Sequence, residues 1–204
     1  MGSARYLGYS ACMARIRIPS DTVSSAGRAA HDAGIAALLG GNLYGRIALH
    51  PALAEVGEKS ERGKVVNRAW RRYGWVNSAA LLAVVGGWAG ARANEARPGS
   101  LSRRERALAT GKDAAVAAVA ATGIATAITG IRFSRTAPEG AVPLEDGNTP
   151  APETPDKAAR LKRRVNRLST ANAVAELALV GINAALGQAN FRRPPARRLL
   201  RRRY

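Results

Sequence analysis

The chain has one cysteine, Cys12, and only two histidines, His31 and His50. A lone cysteine excludes an internal disulfide and any CxxC metal site, and two histidines exclude a His-rich metal centre. No Gly-rich phosphate loop, GxSxG elbow, HExxH helix or Walker sequence is present. The usual sequence signatures of phosphoryl transfer, serine hydrolysis and zinc catalysis are therefore missing, and no cofactor is expected. Alternating β-branched runs, which would mark strands, do not occur. The N-terminus lacks the basic, apolar and small-residue succession of a cleaved signal peptide, and residues 1–24 read as a flexible lead.

What the chain does have is Ala, Leu, Arg and Glu, the residues that favour helix. Its 204 residues suit one domain, or two small ones. Lys and Arg number 32 against 14 Asp and Glu, for a net charge of +18. Four helices can be punctuated. The first runs from about Ser25 to Leu49 and ends at Pro51. The second runs from about Ser60 to Arg92, with Pro98-Gly99 after it. The third opens on Ser102-Arg103-Arg104-Glu105, a capping box, and runs to about Phe133. Residues 135–153 are rich in Pro, Gly and acids and read as an irregular loop. Thr154-Pro155-Asp156 then caps the fourth helix, which runs to Phe191 before Arg192-Arg193-Pro194-Pro195.

Each helix holds an apolar stretch near the ~20 residues that cross a bilayer: residues 29–49, 75–92, 113–133 and 170–190. The expected fold is an all-α, up-down-up-down transmembrane four-helix bundle over residues 25–191, with basic helix extensions outside the bilayer and an Arg-rich tail over 192–204. The alternative is a soluble bundle with an Ala-rich core. Aromatics mark the span ends: Tyr44, Trp70, Tyr73, Trp75 and Phe133 at one level, Trp88 and Phe191 at the other. Gly41/Gly45 and Gly86/Gly90, each four apart, would let helix backbones approach. Lys and Arg are slightly more numerous on the side that holds both termini. That points to cytoplasmic termini, and the expected location is a bacterial inner (plasma) membrane.

Polar residues inside the apolar stretches line up. At ~100° per residue, His31, Asn42 and Arg46 fall on one stripe of the first helix. Asn172, Glu176, Asn183 and Asn190 share a stripe on the fourth, and Thr122, Thr126 and Thr129 share a face of the third. In lipid, such residues face the bundle interior. If the first and fourth helices are antiparallel neighbours, one register sets Arg46 beside Glu176 and His31 beside Asn190. Arg46 and Glu176 would then floor a polar pocket beneath a rim of Trp70, Tyr73 and Trp75. Arg46 could instead snorkel to the headgroups, and Arg28 and Asp32 read as a surface pair. The basic runs Lys64–Arg72, Lys157–Arg167 and Arg192–Arg203 fit anionic headgroups. Nucleic acid is the weaker reading, because no RNP-like or stacking motif accompanies them.

The stretch GGNLYGRIALHPAL, followed by NRAWRRYGWVNSAALL, resembles the family of small four-helix membrane proteins related to anthrone oxygenases. The resemblance covers mainly residues 30–90. It implies a four-helix membrane bundle and, in the polyketide members, cofactor-independent oxidation of an activated aromatic such as an anthrone. Asn42, Tyr44, His50, Pro51, Trp70 and Tyr73 would line the mouth of that site. The acidic loop and the long basic extensions depart from the family pattern. In an enzyme, His50 would act as general base and Arg46 would stabilise the oxyanion. Asn42, Tyr44, Trp70, Tyr73 and Glu176 would bind a small aromatic substrate. The rival expectations are a non-catalytic subunit of a larger membrane complex and a soluble, basic nucleic-acid-binding protein.

Overall fold

The computed structural model describes residues 20–93, 99 and 101–191. Of the lead expected over 1–24, residues 1–19 lie outside the described residues and residues 20–24 belong to α1; the Arg-rich tail over 192–204 and the side chains of Asn190 and Phe191 also lie outside the described residues. The described chain is helical. Four long helices dominate: α1 (Ser20–Tyr44), α2 (Lys59–Ala93), α3 (Arg103–Ser134) and α4 (Asp156–Phe191).

The boundaries of α2 and α3 follow the sequence signals closely. At the start of α3 the expected box forms in both directions. Ser102 Oγ accepts from the Glu105 amide at 3.3 Å, and Glu105 Oε2 accepts from the Ser102 amide at 2.8 Å. The start of α4 differs in detail. Thr154 does not cap it; its hydroxyl donates to the Pro143 carbonyl at 2.6 Å. The Pro155 carbonyl accepts the Ala159 amide instead, and Asp156 occupies the first turn.

Beyond Tyr44 the chain stays helical past Pro51. The chain passes through a π-turn (Gly45–Leu49), a short α-turn (His50–Ala52) and a 3-10 turn (Leu53–Glu55) before Val56 turns extended. Proline lacks an amide donor and its ring clashes with the carbonyl four residues back. A widened turn just ahead, with proline at the start of the next one, accommodates both problems. The detour aims His50 inward.

Two glycines expected to pack do so in an unexpected way, and two others do not pack at all. Gly41 lies under the ring of Tyr73 and Gly45 under Trp70, so the pair receives aromatic faces rather than a helix backbone. A Cβ on Gly86 or Gly90 would meet nothing within 4 Å. The close backbone approach of α1 and α2 falls to Gly34 and Gly87 instead. A Cβ on Gly34 would come within 2.7 Å of the Ala80 carbonyl oxygen.

Two apolar cores result. The larger gathers Ile35, Leu38, Val84, Trp88, Val116, Val119 and Leu179 from all four helices. The smaller gathers Leu53, Val66, Phe133, Val142, Leu144 and Ala158 beneath the loop after α3. That loop is irregular, as expected, with one 3-10 turn (Pro138–Gly140) and a single bridge between Leu144 and Pro150. It is nonetheless tightly seated, and Leu144 is fully buried. Its acids face the basic start of α2: Lys59–Glu145 at 2.7 Å and Lys64–Glu139 at 2.9 Å. Backbone bonds from Leu144 to Lys59 and from Gly147 to His50 fix its register.

Of the four expected membrane spans, two helices are long and apolar enough to cross a bilayer: those over Arg103–Ser134 and Asp156–Ala189. Asp32 and Asn42 interrupt α1, Arg46 interrupts the π-turn after it, and the basic run Lys64–Arg72 occupies the N-terminal half of α2.

Candidate functional site: a closed polar interior

His50 sits where the π-turn delivers it, buried between the start of α2 and the loop. Its Nε2 accepts from the Trp70 indole N–H at 3.0 Å. Its other nitrogen, Nδ1, lies 2.7 Å from Asn148 Oδ1. Because Nε2 accepts, Nδ1 carries the proton and donates. Burial, and then the nearby Lys162 ammonium, push the His50 pKa down to about 4. The ring is therefore neutral at physiological pH, with both nitrogens engaged. The sequence placed this imidazole at a water-facing mouth, free to take protons. The loop closes that mouth: Gly147 packs directly on His50.

The expected aromatic rim is likewise folded down. Trp70 meets His50 edge-on, with ring centroids 5.7 Å apart, and Tyr73 meets Trp70 at 6.1 Å. The Tyr73 hydroxyl donates to the Ala37 carbonyl at 2.9 Å. Trp75 and Tyr44 point away from this cluster and are exposed. The rim is thus two rings laid on Gly41 and Gly45, not three rings around an opening.

The α1–α4 register comes within one helical turn of the sequence expectation, but the ion pair is replaced by a relay. Asn42 Nδ2 donates to Glu176 Oε2 at 3.2 Å, and Arg46 Nε donates to Asn42 Oδ1 at 3.4 Å. The guanidinium of Arg46 also donates to Ser169 at 3.1 Å and Thr170 at 2.9 Å. Glu176, 1% exposed, accepts a second bond from Asn172 Nδ2 at 2.6 Å. Asn172 Oδ1 in turn accepts from Thr122 at 2.8 Å. Thr126 and Thr129 bond their own helix backbone and reach no neighbour. Asn42 stands between the two charges because a guanidinium and a carboxylate on facing helices need not touch when an amide of the right length lies between them.

His31 is buried, and its Nδ1 donates to the Val84 carbonyl at 2.7 Å. The expected Asn190 partner falls outside the described side chains. Asp32 accepts from Asn183 at 3.0 Å, adding a second α1–α4 contact.

Sequence reasoning missed two groups. Lys162, 4% exposed, lies over the Phe133 ring at 5.7 Å. Burial pushes its pKa down to about 8, opposed by Asp146. At the other end, Asp113 takes the Trp88 indole N–H at 2.8 Å and a two-pronged grip from Arg92 at 2.8 and 3.0 Å. Lys112 lies 4.3 Å above the Trp88 ring and donates to Asn183. Both lysines read as ordinary charges in the sequence. Lys112-Asp113 directly before an uninterrupted apolar run was the one available sign that charges there meet partners on other helices.

The side chains named in advance thus fall in two connected sets. His50, Trp70 and Tyr73 are together; Asn42, Arg46 and Glu176 are together one turn away; Tyr44 belongs to neither. In both sets the polar atoms bond one another rather than line an open space. No family model, curated protein or solved structure matches the chain, so the resemblance to the anthrone oxygenase relatives rests on the quoted residues alone.

Proposed function

We propose that the chain is a non-catalytic, bilayer-embedded helical protein, an accessory or scaffolding component whose polar interior serves cohesion. The observation that carries this reading is a belt of exposed apolar side chains on all four helices. It comprises Ile47 on the π-turn that continues α1, Leu82 and Trp75 on α2, Ile124, Ile128 and Ile131 on α3, and Val174 and Leu177 on α4. Ile47 and Leu82 are each 74% exposed and Trp75 82%. Large exposed apolar patches mark membrane or protein contacts. A bilayer solvates this belt.

The belt is what lets α1 and α2 join α3 and α4 in the membrane despite their lower hydropathy. In an up-down-up-down bundle, the polar groups of α1 are spent on Glu176, Ser169 and Thr170 rather than on lipid. Basic residues crowd the end that carries the loop and would lie among anionic headgroups.

The enzymatic reading requires His50 to release both Trp70 and Asn148 before it takes a proton. It also requires a substrate to displace rings that already rest on Gly41 and Gly45. The closed geometry favours the accessory role.

The test is depth labelling. In a Cys12→Ser background, Leu82→Cys, Ile128→Cys and Val174→Cys are treated in intact membranes with a water-soluble maleimide. The expected result is protection at all three until detergent is added. Free labelling at all three in intact membranes would overturn the reading.

A further inference from the structure

The cations of this protein are not equivalent. Lys59, Arg62, Lys64 and Arg92 all face acids within the chain. Five others do not. The side chains of Arg132 and Arg135, at the C-terminus of α3, and of Lys157, Arg160 and Arg164, on one face of α4, make no hydrogen bond or ion pair among the described residues. These five line one groove of about 580 Å³, together with Leu161 and Thr136. No carboxylate lines it. Lys157, Arg160 and Arg164 follow the i, i+3, i+7 spacing that places side chains on one helix face.

Resting on the bilayer reading above, we propose that this groove binds a phospholipid headgroup carrying two phosphates. Three features of the groove support that ligand. Its volume falls in the ~300–1,000 Å³ range of small-molecule sites. Four of its five cations are arginines, whose planar forks match phosphate oxygens two at a time. Each phosphodiester carries one negative charge, so a headgroup with two phosphates neutralises twice as many of the five cations as one with a single phosphate.

Position argues for a lipid as the source. Ile124, Ile128 and Ile131 are exposed along α3 at i, i+4, i+7, and Arg132 is the next residue. An apolar wall therefore runs directly into the cationic groove, as acyl chains run into phosphates. A second basic surface, lined by Lys64, Arg68 and Arg72 on α2, lacks this character. Glu61 lies within it, and Lys64 is already paired with Glu61 and Glu139.

The test uses the full chain in detergent micelles, with lipid retention read by native mass spectrometry. The probes are diphosphatidylglycerol and phosphatidylglycerol, supplied at matched total charge, and inorganic pyrophosphate. The expected result is one diphosphatidylglycerol per chain, held about tenfold more tightly than the monophosphate lipid. Arg160→Gln with Arg164→Gln should weaken it by roughly tenfold or more, since each lost contact is charge-assisted. Arg160→Lys with Arg164→Lys, which keeps charge but not the fork, should lose less. Arg68→Gln with Arg72→Gln, outside the groove, should retain the lipid, and circular dichroism checks that each variant is folded. Equal binding of the two lipids, or equal loss in the groove and control variants, would overturn the proposal. If the protein proves soluble yet binds pyrophosphate in a manner lost with Arg160 and Arg164, the bilayer reading fails and a soluble diphosphate replaces the lipid. If neither pyrophosphate nor diphosphatidylglycerol responds to the groove substitutions, the site fails while the bilayer reading stands.

Discussion

Trp70 and His50 are joined by one hydrogen bond, indole N–H to imidazole Nε2 at 3.0 Å, and it decides how the end of α1 works. It fixes the tautomer, so the ring's second nitrogen is committed to Asn148 on the loop. The imidazole is thereby a bridge between α2 and the loop. His50→Ala should orphan both partners and lower stability by roughly 1–3 kcal/mol. Trp70→Phe, which keeps most of the ring packing, should cost less. Thermal unfolding in detergent measures both. A neutral His50→Ala would show that the bridge contributes nothing.

The same burial makes stability depend on pH. The folded state holds His50 neutral down to about 4, while the unfolded chain takes a proton near 6.5. Between those values the unfolded state binds more protons, so stability falls as pH drops. It should be flat with respect to this group above about 6.5 and lose about 3 kcal/mol by pH 4. His50→Ala should flatten that slope. An unchanged slope would place the acid sensitivity elsewhere.

The relay through Asn42 makes a different demand from a direct ion pair. Removing the amide strips a bond from a 1% exposed carboxylate and another from Arg46 at once. Asn42→Ala should cost roughly 2–3 kcal/mol, in the range for hydrogen bonds to charged groups. Arg46→Ala should cost less, because Glu176 keeps both Asn42 and Asn172. Comparing the two melting temperatures is sufficient. Equal losses in a double-mutant cycle with Glu176→Gln would restore the direct pair.

Glycine substitutions separate the two kinds of small-residue face. Gly41→Ala and Gly45→Ala drive a methyl into Tyr73 and Trp70, and each should cost roughly 1–3 kcal/mol. Gly86→Ala and Gly90→Ala meet open space and should be neutral or stabilise by up to about 1 kcal/mol. Thermal shifts of opposite sign within this set are the expected outcome.

These contrasts show what was legible in the sequence. Helix starts were readable where a side chain caps the backbone locally, as at Ser102 and Glu105. The α1–α4 register was readable to about one turn because Asn42, Arg46 and Glu176 are polar in apolar surroundings. The partner chosen within that register was not readable, since a guanidinium, an amide and two hydroxyls compete within a few ångströms. Nor was the course past Pro51, because a π-turn leaves no compositional mark. The closure of His50 was hidden for the same kind of reason. The loop that seals it lies about a hundred residues away, and its Pro, Gly and acidic residues marked it only as irregular. Gly34 and Gly87 pack backbone to backbone without sharing the four-residue spacing that drew attention to Gly86 and Gly90.

The central claim is that the exposed belt around Ile47, Leu82, Ile128 and Leu177 lies in lipid, and carbonate extraction tests it most directly. Membranes from cells expressing the full chain are stripped at alkaline pH and separated by centrifugation. The protein is expected to stay with the membrane pellet and to be released only by detergent. Recovery in the carbonate supernatant as a monodisperse soluble monomer would contradict it.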